Sequence, residues 1–312
     1  MQTPAAKQTP APAQTIAPTV RQSVRLDVFV TDESNRFVAD LRQEDFRVEE
    51  DGAPQLISFF APEPAPMTYS LLIDSTGSLR TMFDRVLRAG ETIIAGKSAT
   101  DEMSMVRFVG RDQIELMRDF TRNQNALAAA LDEIYVEGGM TALLEALYVT
   151  AETIVARPPG EYRRRALVVV TDGGERDPQA KLDELLKYLR RHDVQVFVFG
   201  LTDALSGDAF RKVKGGRRGA RELLDTLARE TGGYAVFPKK PAEFDDAALA
   251  LNAQLQMPRY TLGYASQVAA GKPRKVEVKL AESARNNERK LRLRTNFRVW
   301  GAPREAIIPA SK

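Results

Sequence analysis

The sequence predicts an α/β protein with a doubly wound, mainly parallel six-stranded sheet and one antiparallel edge strand. A small β-sandwich is expected beside it, built from strands at both ends of the chain. Between residues 67 and 255, short apolar strand patterns alternate with helix-spaced segments, which is typical of βαβ units. The segments 166–170 and 194–199 are continuous apolar runs, as expected for parallel strands buried on both faces.

The N-terminal strands are predicted from residue alternation. Val24, Leu26, Val28 and Val30 recur at every second position, which indicates a strand with one buried face. Further short strands are predicted at 37–38, 46–49 and 55–60, with the dipeptide at 51–52 as a turn. The proline-rich residues 62–66 then form a stiff linker.

The central region is assigned from its change of periodicity. Strands are predicted at 67–73, 103–109, 113–117, 166–170, 194–199 and 234–237, and helices at 79–97, 125–134, 141–156, 178–191, 221–230 and 243–255. The tight turn between the second and third of these strands makes them a hairpin. One antiparallel strand is therefore expected at an edge of the sheet.

Strand patterns return at 259–264, 274–280, 290–294 and 297–300, and we expect them to pair with the N-terminal strands. Tyr260 and Trp300 are then sandwich core residues. The predicted domain organisation is a disordered tether at 1–22, the first part of the sandwich at 23–61, the α/β domain at 67–257, the second part of the sandwich at 258–304, and a tail at 305–312.

Composition excludes several classes of function. The chain has 312 residues, 43% hydrophobic and 28% charged, with a formal net charge of +3, which does not by itself indicate a nucleic-acid partner. It has no cysteine and a single histidine, His192, so thiolate chemistry is excluded and a Ser-His or Cys-His catalyst is not expected. No apolar run reaches the length of a membrane span.

Oxygen-bearing side chains mark the ends of the predicted strands. Asp74, Thr76 and Ser78 follow the first strand of the central region, and Asp172 follows the fourth. Thr141 stands at the start of a predicted helix between them. Ligands of open α/β sheets bind outside the carboxyl ends of the strands, where the strand order reverses, so we expect these residues to converge there.

This set of side chains predicts a hard metal ion. All five residues offer oxygen, which suits Mg²⁺, with Mn²⁺ or Ca²⁺ as alternatives, rather than Zn²⁺. Hydroxyls and two carboxylates cannot satisfy every coordination position of an octahedral ion, so water or an outside ligand must complete the shell. We therefore expect an Asp or Glu of a protein partner to complete the coordination, and no catalytic residues.

The pattern Asp74-x-Thr76-x-Ser78, followed by Thr141 and Asp172-Gly173, resembles the metal-ion-dependent adhesion site of von Willebrand factor type A domains. The resemblance covers about residues 67–255, and Thr76 stands where the family has serine. It implies a metal held by the hydroxyls, with the aspartates often acting through water. The wider layout is similar to bacterial exported proteins with such a domain. That likeness and the Ala/Pro-rich start imply export to the periplasm, cell surface or medium.

Alternative interpretations remain open. Ser78 and Thr141 are also plausible helix N-caps in a protein that binds no metal. The corresponding alternative function is a metal-free scaffold of an envelope assembly. A less favoured hypothesis is a phosphatase-like hydrolase with Asp74 as nucleophile, although such enzymes have a second aspartate where Thr76 stands.

Basic side chains are concentrated at residues 211–221, which contain no acidic residue. This segment follows the strand at 194–199, so we expect it to leave the sheet near the metal site as a loop. Lys214, Arg217 and Arg218 are the candidates for steering an acidic partner, although the pattern slightly favours a mobile, solvated loop. A second run, residues 163–165, is predicted to be a solvated loop end.

Overall fold

The computed structural model describes residues 22–34, 36–61, 66–139, 141–157, 163–175, 179–205, 210, 213–266, 275–282 and 289–295. Its strands are β1 (Gln22–Thr31), β2 (Phe46–Glu50), β3 (Ala53–Gln55), β4 (Ile57–Ala61), β5 (Met67–Asp74), β6 (Glu102–Phe108), β7 (Ile114–Thr121), β8 (Arg164–Thr171), β9 (Val194–Gly200), β10 (Ala235–Val236), β11 (Tyr260–Ser266), β12 (Val276–Leu280) and β13 (Arg292–Thr295). Its α-helices are α1 (Phe83–Ala95), α2 (Gln124–Asp132), α3 (Leu143–Val155), α4 (Leu182–Arg191), α5 (Gly216–Thr231) and α6 (Phe244–Leu255).

The central sheet has six strands in the order β10-β9-β8-β5-β6-β7. All neighbouring strands are parallel except β6 and β7, which are antiparallel. The predicted fold class and antiparallel edge strand are therefore confirmed. From β5 the chain adds β6 on one side and later β8 on the other, so the order reverses at β5. The crevice expected for a ligand lies at the carboxyl ends of β5 and β8.

Helices cover both faces of this sheet, and neighbouring strand residues point into two different cores. Val168 and Val170 pack in the layer that contains α1, α2 and α6. Val169 packs on the other face with α3, α4 and α5. Each fully buried valine stabilises the fold by roughly 1.5–3 kcal/mol relative to an exposed one, which is why the middle of β8 is apolar at consecutive positions.

The N- and C-terminal strands form two antiparallel sheets, ordered β13-β1-β11-β4 and β12-β2-β3. Strand β1 pairs with β11 from Gln22–Ser266 to Val28–Tyr260, so the predicted pairing of the two chain ends is present. One apolar core lies between the two sheets. Tyr260 is fully buried there, as expected, and its hydroxyl donates to the carbonyl oxygen of Val38 at 2.6 Å.

Arg164 corrects one prediction. It is the first residue of β8 and is buried, rather than part of a solvated loop end. Its Nε lies 3.9 Å from Oδ2 of the buried Asp27 in β1, and Nη1 of Arg259 lies 3.7 Å from the same oxygen. This ion cluster joins strand β1 of the sandwich to the start of β8 in the central sheet. A buried arginine is stable in such a place only because it has partners.

Other boundaries also differ from prediction. Residues 37–38 form only an isolated bridge, Thr31 to Phe37. The helix predicted at 79–97 begins as a 3-10 helix, Gly77–Met82, before α1. Residues 1–21, the tail at 305–312 and the strand predicted at 297–300, with Trp300, lie outside the described residues. The predicted domain limits remain predictions.

Candidate metal centre

Asp74 is the last residue of β5, and its carboxylate is fully buried. Oδ1 accepts hydrogen bonds from the backbone N–H of Thr76 at 3.0 Å and from its hydroxyl at 2.7 Å. Oδ2 accepts a hydrogen bond from the hydroxyl of Thr171 at 2.6 Å. These neutral donors fix the direction of the carboxylate without cancelling its charge.

The loop after Asp74 brings the next two candidates together. Oγ1 of Thr76 lies 3.1 Å from Oγ of Ser78. The N–H of Glu137 donates to the carbonyl oxygen of Ser75 at 2.9 Å, and Thr76 forms a parallel bridge with Glu137. These contacts hold the segment that leads to Thr141 against the backbone of residues 75 and 76.

Thr141 and Asp172 flank one point beside Gly174. A Cβ atom placed on Gly174 would lie 2.7 Å from Oδ1 of Asp172 and 3.6 Å from Oγ1 of Thr141. Both side chains are buried, and Oδ1 of Asp172 also accepts the N–H of Gly174 at 2.8 Å. Gly173 has a φ of +71°, a backbone conformation that favours glycine at this position.

The two aspartates interact electrostatically. Burial, and after it the negative charge of Asp172, raises the pKa of Asp74 from 3.8 to about 7. Hydrogen bonds from Thr171 and Thr76 oppose this shift without reversing it. Two carboxylates in one desolvated place repel each other, so the arrangement would be stabilised by a cation between them.

The donor set fits a hard divalent cation. It supplies carboxylate and hydroxyl oxygens from the five residues predicted, and no nitrogen or sulfur. In the described part of the chain, no group of three or more His, Cys, Asp or Glu residues could hold a metal ion. An ion at this edge would therefore depend on hydroxyl oxygens beside the two aspartates.

The described geometry does not support helix capping by Ser78 or Thr141. Ser78 lies inside the 3-10 helix, whose N-cap is Thr76, and α3 has Ala142 as its N-cap. Neither N-cap residue makes a side-chain capping hydrogen bond. Ser78 and Thr141 therefore do not serve the helix ends in the way that the alternative requires.

The family model of the von Willebrand factor type A domain matches residues 70–250, more than half of the chain. The chain belongs to this family. Von Willebrand factor type A domains are generally protein-interaction modules. The matched segment begins in β5 and ends in α6, so it contains the central sheet and all five candidate ligand residues.

Several solved structures are similar to this chain. A von Willebrand factor type A protein from Catenulispora acidiphila is 12% identical, with a TM-score of 0.50, over 86% of this chain and 72% of that one. An aerotolerance-related membrane protein from Bacteroides fragilis, with serine substitutions, is 19% identical, with a TM-score of 0.47, over 61% and 98%. BatB from Bacteroides thetaiotaomicron is 17% identical, with a TM-score of 0.47, over 61% and 97%. No curated protein matches this sequence.

The basic segment of this domain is partly helical, which corrects the predicted loop. Helix α5 begins at Gly216, so Arg217 and Arg218 lie in its first turn, while Lys214 precedes it and Arg211 and Lys212 lie outside the described residues. A Cβ atom on Gly173 would lie 3.1 Å from the carbonyl oxygen of Ala220 in α5. The first turns of α5 therefore pack beside the loop that carries Asp172.

These basic side chains differ in how far their charge is neutralised. Arg218 forms an ion pair with Glu222 at 2.8 Å. Arg217 donates to the carbonyl oxygen of Leu205 at 2.5 Å, which leaves its positive charge in place. Both arginines and Lys214 are exposed. None of their described contacts reaches the five candidate ligand residues.

Sequence reasoning missed the residues that hold the candidate ligands in place. Thr171 directly follows the strand predicted at 166–170 and was not among the predicted site residues, although it binds Asp74. Its role follows from the register in the structure, in which Ile73 pairs with Val170 and Asp74 and Thr171 are the next residues of the two strands. Glu137 and Glu175 gave no sequence signal, since their roles depend on contacts between loops.

Within the described residues, no helix combines the length and the apolar character that crossing a bilayer requires.

Proposed function

We propose that this chain is a divalent-metal-dependent protein-binding module that acts in adhesion or assembly. The observation that carries the proposal is the convergence of oxygen donors at one crevice of the sheet, from Asp74, Thr76, Ser78, Thr141 and Asp172. Mg²⁺ is the proposed ion, with Mn²⁺ or Ca²⁺ as alternatives.

An acidic residue of a protein partner is the proposed ligand. A divalent ion supplies a strong local attraction for carboxylate, and this donor set leaves at least one position to an outside group or water. Asp74 and Asp172 are buried at 0% and 1% exposure, which suits support of an ion better than direct contact with a partner. The half-buried Ser78 lies nearer to the surface.

Lys214 and Arg217 are proposed to guide that partner to the crevice. Both side chains are exposed at the start of α5, the helix that packs beside the Asp172 loop at Ala220, and neither has an ion-pair partner among the described residues. They would act mainly on the rate of association, because exposed charges steer the encounter more than they stabilise the complex. The same holds for Arg218, whose charge is partly neutralised by its ion pair with Glu222.

The test is calorimetric titration of Mg²⁺ and Mn²⁺ into chelator-treated protein, beside the Asp74→Ala, Asp172→Ala double variant. Binding by the wild type that disappears in the double variant supports the proposal. It would be followed by a pull-down with metal or with chelator to find the partner. An Asp183→Ala, Glu184→Ala double variant on the surface of α4 removes the same charge elsewhere and should bind normally.

Absence of binding by the wild type would favour the alternative, a metal-free scaffold of an envelope assembly. The phosphatase-like hypothesis is less supported, because both oxygens of the fully buried Asp74 already accept hydrogen bonds. A generic phosphate ester assayed with Mg²⁺ tests it.

Export is part of the same proposal and is tested by fractionation of the cells that make the protein.

A further inference from the structure

Glu175 connects the Asp172 loop to the helix that follows Thr141. It is buried, and its Oε2 accepts the backbone N–H of Leu144, in the first turn of α3, at 2.9 Å. Its own N–H donates to the carbonyl oxygen of Gly173 at 2.8 Å. The carboxylate thus satisfies a free N–H group at a helix N-terminus, where negative charge is also favourable.

Glu145 makes the opposite connection. It lies in α3 and is buried, and its Oε1 accepts the N–H of Ala180 at 3.0 Å and that of Gln179 at 2.5 Å. One glutamate therefore extends from the Asp172 loop to α3, and the other extends from α3 to the chain beyond that loop. Both bonds are charge-assisted and buried, which makes them stronger than ordinary surface hydrogen bonds.

We propose that Glu175, with Glu145 as its counterpart, is a positioning residue that holds Thr141 and Asp172 at the spacing required for the ion. This inference rests on the proposed metal-dependent function. Thr141 is two residues before α3, and its hydroxyl and Oδ1 of Asp172 both lie within 4 Å of the position that a Cβ atom on Gly174 would take. A shift of α3 against the Asp172 loop would separate these two oxygens, and Glu175 is the described side chain that spans the two elements at this point.

The test compares Glu175→Gln and Glu175→Ala in the full chain by calorimetric titration with Mn²⁺. Glutamine keeps an oxygen that accepts the Leu144 N–H, whereas alanine removes it. We expect alanine to weaken Mn²⁺ binding by about 10- to 100-fold, the range for groups that orient metal ligands, and glutamine to retain most of the affinity. Glu152→Ala, on the exposed side of α3, should bind as the wild type does.

A double-mutant cycle with Thr141→Ala separates positioning from a general loss of stability. If Glu175 acts through Thr141, the two alanine substitutions together should cost less affinity than the sum of their separate effects. Additive effects would overturn the inference, as would a glutamine variant as weak as alanine, because the charge rather than the hydrogen bond would then be required.

The two proposals fail in different ways. Wild-type protein that binds no Mn²⁺ overturns the proposed function and this inference together. Wild-type binding that Glu175→Ala leaves unchanged overturns this inference alone. Hydrogen exchange of the Leu144 amide in metal-free protein gives a readout independent of binding. It should become faster in the alanine variant and stay slow in the glutamine variant.

Discussion

The hydroxyl of Thr171, at the end of β8, donates to Oδ2 of Asp74, at the end of the neighbouring strand β5, over 2.6 Å. The same hydroxyl accepts the N–H of Gly173 at 3.0 Å. One buried threonine thus joins the two loops that carry the candidate aspartates. Because it serves both, its effect on the metal centre should exceed that of an ordinary buried hydroxyl.

Replacing Thr171 with valine should keep the shape and remove both hydrogen bonds. Leaving the partners of a buried hydroxyl unsatisfied costs about 1–3 kcal/mol of stability, and metal affinity should fall by about 10- to 100-fold. Thermal unfolding and calorimetric titration measure the two effects. Thr150→Val is the matched control, since Thr150 is buried in α3 and its hydroxyl has no hydrogen-bond partner in the described structure. Equal effects in both variants would contradict the role given to Thr171.

Alanine at Gly174 should damage the centre while the rest of the fold stays intact. The new Cβ would lie 2.7 Å from Oδ1 of Asp172, closer than a Cβ atom approaches a neighbouring atom, so Asp172 or the backbone at Gly174 must shift. We expect metal affinity to fall by at least about 10-fold, which corresponds to about 1.4 kcal/mol. Gly138→Ala, where nothing lies within 4 Å of the new atom, serves as the control. Normal Mg²⁺ binding by Gly174→Ala would mean that Asp172 is not needed in its present position.

Removing the charge of Asp74 should abolish metal binding without destabilising the metal-free protein. Asp74→Asn keeps an oxygen that accepts the hydrogen bonds from Thr76 and removes the repulsion from Asp172. We expect unchanged or higher thermal stability in chelator, together with loss of Mg²⁺ binding. A large loss of stability in chelator would show that the carboxylate supports the fold rather than an ion.

The stability of the metal-free protein should depend on pH through Asp74. The folded protein holds this proton up to a pH of about 7, whereas the unfolded chain releases it near 3.8. Between these values the folded state binds more protons, so its stability falls as the pH rises. The difference between wild type and Asp74→Asn isolates this contribution. It should be small at a pH of about 4 and grow in favour of the variant toward about 8. A flat difference would contradict the assigned environment.

Charge reversal beside the crevice should slow the capture of an acidic ligand. Lys214→Glu with Arg217→Glu should lower the association rate with immobilised poly-glutamate in Mg²⁺, and the effect should shrink as salt is added. Surface plasmon resonance measures the rate. Arg229→Glu with Lys187→Glu gives the same change of charge, with Arg229 in the last turn of α5 and Lys187 in α4. Similar slowing in both double variants would point to net charge rather than to this surface.

The sequence alone determined the fold class and the candidate ligand residues. Both depend on local information, namely the alternation of strands and helices, the apolar runs at 166–170 and 194–199, and polar residues placed directly after strands. Helix starts were predicted less well. The sequence predicts a helix only from residue 221, after a basic loop, yet residues 216–220 form the first turns of α5 and pack against the Asp172 loop.

Tertiary structure decided which groups support the candidate ligands. The register of β5 against β8 brings the Thr171 hydroxyl within hydrogen-bond distance of Asp74. The packing of α3 near the Asp172 loop gives Glu175 and Glu145 their hydrogen-bond partners. It also buries Arg164 beside Asp27, where the sequence suggested a solvated loop end. These contacts join residues distant in the chain, and their energies depend on burial and distance, which no local pattern specifies.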